Sequence, residues 1–220
     1  MTVEFPPSAV QRSLGASVSF ASSISGSDAP LNRPGPGAKL RVLVTADRLF
    51  YDEGIRTVGV DRLIAESSVT KATFYKHFGA KDKLVLDYIN RRHDEAVTRM
   101  EAIRQASDSA LDALRGIVAA IVDEIQAPGF RGCPFINAAA EFADPDHPVR
   151  VIVVSHRDWY SDTLVELFRE AGNPMAGDAA DEFLLARDGA MVGGYAGDAI
   201  AATAALQRIA DDLFTATTQA

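Results

Sequence analysis

Apolar residues take up a helical period from Lys39 onward. Val42, Leu43, Ala46, Leu49 and Phe50 fall at i, i+1, i+4, i+7 and i+8, a single stripe on one helix face. Gly54 stands where a left-handed cap would end that helix. A short second helix is expected over about residues 60–67, with Val60, Leu63 and Ile64 turned inward. After Ser67-Ser68-Val69, the Thr70 hydroxyl can cap a third helix over residues 71–77. A long helix over about residues 82–105 carries Leu84, Val85, Tyr88 and Ile89. Five more periodic stretches follow, at 109–126, 135–142, 149–171, 179–195 and 199–217. Breaker clusters separate them: Pro128-Gly129, Asp144-Pro145-Asp146-His147-Pro148, Gly172-Asn173-Pro174 and Gly197-Asp198. The β-branched run at residues 151–154 reads as a buried turn of helix, because one such run in a helical context makes no sheet. The pattern predicts an all-α chain.

Composition sharpens this in three places. Residues 1–38 hold five of the ten prolines with much Ser, Gly and Ala and no sustained period, which reads as a disordered arm. A start codon placed too early explains it equally well; a binding role for the arm is the third reading. Cys133 is the one cysteine, so the chain can form neither an internal disulfide nor a cysteine-rich zinc site. No apolar run is long enough to cross a bilayer, and Glu4, Pro6 and Pro7 spoil a secretory signal, so a cytoplasmic protein with no membrane partner is expected. The net charge of −8 is unevenly spread: residues 39–92 carry 11 Lys/Arg against 7 Asp/Glu, and residues 93–220 carry 9 against 21. Every lysine lies between Lys39 and Lys83. A small basic segment on an acidic body suggests that only the first part meets an anion.

Helix, short helix, tight turn and a third helix of about eight residues make the helix-turn-helix plan. The third helix must bury one face and present the other. Val69, Phe74 and Phe78 can face inward, leaving Lys71, Ala72, Thr73, Lys76 and His77 outward. Over residues 41–85 the chain resembles the TetR-type transcriptional regulators: Ala46 with Leu49-Phe50, Gly54, Val60, Ile64-Ala65, Val69-Thr70-Lys71, Thr73-Phe74-Tyr75, His77-Phe78, Lys81 and Leu84 stand in the family's order. It departs from the family at Ser68, where the turn usually has Gly, and at Ala80, where a capping Ser is common.

The resemblance implies an N-terminal helix-turn-helix bundle at residues 39–81. A larger helical domain at 82–220 would bind an effector and dimerise. It implies that Thr70, Tyr75, His77 and Lys81 meet phosphates and that Lys71, Ala72, Thr73 and Lys76 face the groove of a double-stranded, palindromic operator. A lysine can donate to guanine O6 and N7, and a methyl group can touch thymine. The effector implied is a small apolar molecule that releases a repressor from DNA. Bulky residues on central helices are the candidate lining: Phe130, Cys133, Phe135, Ile136, Trp159, Tyr160, Leu164, Phe168, Met191 and Tyr195. Small residues at Gly189, Gly193, Gly197, Ala201 and Ala205 permit close approach of another helix, and the apolar face Leu206, Ile209, Ala210, Leu213 and Phe214 could serve a dimer seam or a monomer core; the resemblance favours a homodimer seam.

Asp144, Asp146 and His147 could hold a metal, but the intervening prolines favour a solvated loop, and no metal or cofactor is expected. No nucleophile motif or phosphate-cradling glycine loop points to an enzyme. The competing reading is a helical small-molecule-binding protein or enzyme without a DNA-binding role. Salt-dependent retention on DNA, lost when Lys71 and Lys76 are neutralised, separates the two.

Overall fold

A computed structural model describes residues 37–218. The arm at residues 1–38 therefore lies, but for its last two residues, outside the described part. Among the described residues the regular structure is helical: α1 (Ala38–Glu53), α2 (Val60–Glu66), α3 (Lys71–Phe78), α4 (Lys81–Ala106), α5 (Ala110–Gln126), α6 (Pro134–Glu141), α7 (Pro148–Glu170), α8 (Ala176–Ala196) and α9 (Ala199–Thr218). No helix among them is long and apolar enough to cross a membrane.

The first three helices close on a small core. Val42, Ala46, Leu49 and Phe50 of α1 meet Leu63 of α2 and Phe74 and Phe78 of α3, all buried. Ile55 and Val58, from the α1–α2 turn, complete it and have no periodic signature in the sequence. Leu84, Val85, Tyr88 and Ile89 of α4 pack beneath, with the Phe50 and Tyr88 rings edge to face at 5.5 Å. That burial, not propensity, holds the seven-residue α2, which is too short to persist alone in water.

The turn between α2 and α3 is tied at several points. Ser67 Oγ donates to Leu63 O at 2.6 Å, and the Val69 amide to Ile64 O at 3.3 Å. Arg41, from the first turn of α1, donates through Nε to Ser67 O at 3.3 Å. Ser68 takes φ +53°, the left-handed region where a Cβ costs about 1 kcal/mol. Gly54 also has positive φ (+92°), but its ψ of 149° is outside the left-handed helical region, so it is not the left-handed cap expected. The extended ψ turns the next two amides outward, toward an acceptor on α6.

In the remaining helices, Pro134 and Pro148 sit in the first turns of α6 and α7, where a missing N–H costs nothing. His147 ends the loop Asp144–His147 as a cap: its Nδ1 accepts from the Val149 amide at 3.2 Å, and its ring stacks on Phe142. Residues 151–154 are helical as read, yet Val151 and Val154 are about half exposed and only Val153 is fully buried. The apolar face of α9 also differs from expectation. Leu206, Ala210 and Phe214 are buried within the protomer, because α9 lies against α8; Ile209 stays exposed. Small residues on α8 permit close packing on two sides: a Cβ on Gly193 would come within 3.3 Å of Ala202 Cβ on α9, and one on Gly194 within 2.4 Å of Ile125 Cγ2 on α5.

Two local defects are open to repair. Ser68→Gly removes the left-handed strain, and Ala80→Ser supplies the cap that α4 lacks, since Ala80 makes no side-chain bond to it. Each is expected to stabilise the fold by about 1 kcal/mol in denaturant melts.

Candidate nucleic-acid interface and inner cavity

Thr70 sets the start of α3. Its Oγ1 accepts from the Thr73 amide at 3.2 Å and lies 2.8 Å from Thr73 Oγ1. With Phe74 and Phe78 anchored, 5.6 Å apart between ring centroids, the helix can turn only one face outward. Lys71, Ala72, Tyr75 and Lys76 are exposed on it, and Thr73 and His77 half-buried. Among the described residues Lys71 and Lys76 enter no ion pair, whereas Arg48 and Arg62 are engaged by Glu66 and Glu53. The Tyr75 ring packs edge-on against Phe74 at 5.4 Å, which aims its hydroxyl outward. Lys81 differs from its expected neighbours. Its ammonium lies over the Phe50 ring at 5.8 Å, and burial draws it below the usual lysine value against the pull of Glu141 and Asp82.

The body holds a cavity of about 90 Å³ between α4, α5, α6, α7 and α8. Of the ten residues picked out from sequence, Phe135, Tyr160 and Met191 line it. Leu164 and Phe168 are core residues, the latter packed near Phe183 and Phe214. Phe130 and Ile136 pack at the edge of the core, and Tyr195 is exposed under the Arg131 guanidinium. Trp159 sits beside His93, their rings 5.2 Å apart, and buried Cys133 places its Sγ 3.5 Å from Arg187 Nη2. The lining is also more polar than the apolar candidates suggested: it includes Arg92, Glu95, Arg99, Glu124, His156 and Arg187. Arg187-Asp188, a charged pair inside the apolar stretch of α8, was the sequence signal for this; nothing comparable marked His156.

His156 stacks flat on Phe135, centroids 3.5 Å apart, and its Nδ1 is 3.1 Å from His93 Nδ1. One ring must donate and the other accept, so the contact needs at least one neutral imidazole. Burial, reinforced by His93 and then by Arg187 and Arg157, pushes His156 down to about 3.

Three polar contacts join cavity wall and helix-turn-helix. Glu141, the last residue of α6, accepts from the amides of Ile55 at 2.8 Å and Arg56 at 2.7 Å. Tyr51 Oη donates to Gly132 O and accepts from the Arg131 amide, both at 2.9 Å. Arg92 and Asp47 pair at 2.7 Å, joining α4 to α1. Sequence reasoning missed Glu141, Tyr51 and Asp47, whose partners are backbone groups or lie far along the chain.

Residues 42–88 match the family model of bacterial regulatory proteins of the tetR family, and residues 110–182 that of the tetracyclin repressor-like C-terminal domain. A TetR-family transcriptional regulator from Streptomyces coelicolor is 40% identical, with a TM-score of 0.78, over 81% of this chain and 94% of that one. The chain belongs to the TetR family. It is a transcriptional regulator with a helix-turn-helix DNA-binding domain. A TetR-family regulator from Agrobacterium tumefaciens, 20% identical, shares the fold at a TM-score of 0.72, with 80% of this chain and 96% of that one covered. Among curated relatives, the HTH-type transcriptional activator FasR of Mycolicibacterium smegmatis is 31% identical over 87 residues, and the HTH-type regulator YuxN of Bacillus subtilis 29% over 84. Those matches cover 39% and 38% of this chain and span 39% and 29% of the two relatives' lengths.

For this TetR-family chain the histidine cluster fixes a pH response. A histidine whose folded value lies below its unfolded one, near 6.5, binds more protons unfolded, so it costs stability as pH falls from about 6.5 toward 3. His156→Phe is expected to lessen the loss of melting temperature between pH 7 and pH 4.5. Melting curves of both proteins at each pH check this, since carboxylate titration is common to the two.

Proposed function

We propose that the chain is a homodimeric repressor that leaves its operator when a small molecule fills the inner cavity. Residues 39–81 would hold DNA, and residues 82–220 would hold the effector and the second copy. The observation that carries the DNA assignment is the outer face of α3, with Lys71, Ala72, Thr73 and Lys76 set on the buried pair Phe74 and Phe78. Lys71 and Lys76 are free to meet base edges, while Thr70, Tyr75 and the free amides at the start of α3 suit phosphates. Half-buried Lys81 is assigned to the phosphate backbone by family position.

A dimer would use the outer faces of α8 and α9, where Leu185, Val192, Ile200 and Ile209 are exposed. Two copies of α3 held about 34–36 Å apart enter successive major grooves and read a palindrome. Repression needs only occupancy of the operator, whereas activation needs a further contact with polymerase. The activator name of one relative makes in vitro transcription the readout for that choice.

Selection of bound duplexes from a random pool is expected to return a palindrome. Lys71→Ala or Lys76→Ala should relax preference at particular bases, at a cost of about 1–3 kcal/mol. Tyr75→Phe should weaken all sequences alike. A wild-type protein with no sequence preference overturns the assignment.

For release, α6 is the connecting part: Pro134 and Phe135 at its start line the cavity, and Glu141 at its end holds the Ile55 and Arg56 amides. A ligand that displaces Phe135 shifts the carboxylate with it. In Glu141→Gln the ratio of operator affinity without and with a releasing compound is expected to fall about tenfold, equivalent to about 1.4 kcal/mol of coupling. Titrations of operator DNA at saturating compound measure it, and an unchanged ratio removes α6 from the route.

A further inference from the structure

Arg187 lines the cavity from α8 and is short of acceptors. Its Nη1 donates to Asp188 Oδ1 at 2.7 Å. Its Nη2 has a thiol, Cys133 Sγ, at 3.5 Å, a weak acceptor. The guanidinium also lies over the Tyr160 ring, 5.2 Å from its centroid, but its Nε is buried and makes no hydrogen bond among the described residues. Asp188 is moreover shared, because its other oxygen accepts from Arg157 at 2.6 Å. Two guanidinium groups thus divide one carboxylate.

The other charged groups of the lining each have an ion-pair partner not shared with a second arginine of the lining: Arg92 with Asp47, where Nε and Oδ1 lie 2.7 Å apart without hydrogen-bond geometry but Nη2 donates to Oδ2, Arg99 with Glu124, and Glu95 with Arg91. Buried donors are almost always satisfied, and a guanidinium nitrogen left bare in a cavity wall marks where an acceptor belongs. The lining also has an apolar part, with Met100 from α4 and Ile117 and Ile121 from α5, and Phe135 and Met191 besides.

We infer that the cavity takes a small monocarboxylic acid, its carboxylate on Arg187 and its hydrocarbon body against α4 and α5. This rests on the reading of the cavity as the effector site and names the effector's chemical class. A carboxylate suits the planar donors of arginine and completes a charge balance that Asp188 alone leaves one short. The cavity, at about 90 Å³, is smaller than the ~150 Å³ void that encloses benzene. It accepts the acid group and the first few carbons, and a longer body extends toward the exposed side chains of Glu95 and Arg99.

The test uses the full-length protein and matched pairs at equal ionic strength: butanoate, hexanoate and benzoate against butanamide, hexanamide and benzamide. Binding is read from melting temperature and Trp159 emission. The acids are expected to bind at least about tenfold more tightly than their amides. Arg187→Gln should abolish that preference. Asp188→Asn, which frees both guanidinium groups, should tighten acid binding about threefold, a gain that general loosening of the fold would not give. Amides binding as well as acids, acid preference surviving in Arg187→Gln, or weaker acid binding in Asp188→Asn each overturns the inference. Operator release separates it from the inducible reading. Acids that bind without releasing DNA leave the acid site and remove the inducer role. Amides that bind and release DNA do the reverse. Binding by neither removes both.

Discussion

The carboxylate of Glu141 on two backbone amides is the joint on which the molecule turns. The α1–α2 turn leaves the Ile55 and Arg56 amides without a helical partner, and the half-buried one at Ile55 must find an acceptor. The two amides donate to the two oxygens of a side chain from another part of the chain. The unusual ψ of Gly54 follows from the same need, since a side chain there would crowd the carboxylate, with Glu141 Oε1 only 3.3 Å from the would-be Cβ. The DNA-binding bundle is therefore fixed in place by bonds made at the far end of a helix whose first residues wall the cavity.

How much could be read beforehand divides along the range of the interactions. Helix positions came from local period and punctuation, and α5 and α9 begin or end within a residue of the expected place. Thr70 as a cap was legible because it depends on immediate neighbours, and Ser68 as a departure in the turn because the family usually has Gly there. The face of α9 was not: Leu206, Ala210 and Phe214 form an apolar stripe that a partner copy or the chain's own α8 could bury equally well, and only the fold chooses. The cavity was least legible. Bulkiness singled out Leu164 and Phe168, which simply fill the core, while Arg187 and His156 were passed over because charged and titratable residues were sought on the surface.

The electrostatic division of the chain has a structural counterpart. On α1 and α2, Arg48 and Arg62 are consumed by Glu53 and Glu66, so the basic excess of residues 39–92 is concentrated near α3 rather than spread. The body, with 21 Asp/Glu against 9 Lys/Arg in residues 93–220, carries a net charge that repels a polyanion. Together these orient an approaching molecule before any base is touched, an effect that weakens as salt shortens the Debye length.

The 26 residues of α4 have a mechanical meaning. The helix begins directly after the two-residue α3–α4 turn and runs about 39 Å, at 1.5 Å per residue, past the cavity. Pivoting such a rod by about 5° moves its far end by about 3 Å, and in the proposed dimer two symmetric copies would double the change between their recognition helices. In the proposed release, a displacement of less than one side chain at Met100 would thereby be magnified into a misfit against the fixed repeat of DNA. The gain comes from length alone, so the proposed release would need a ligand of only a few atoms.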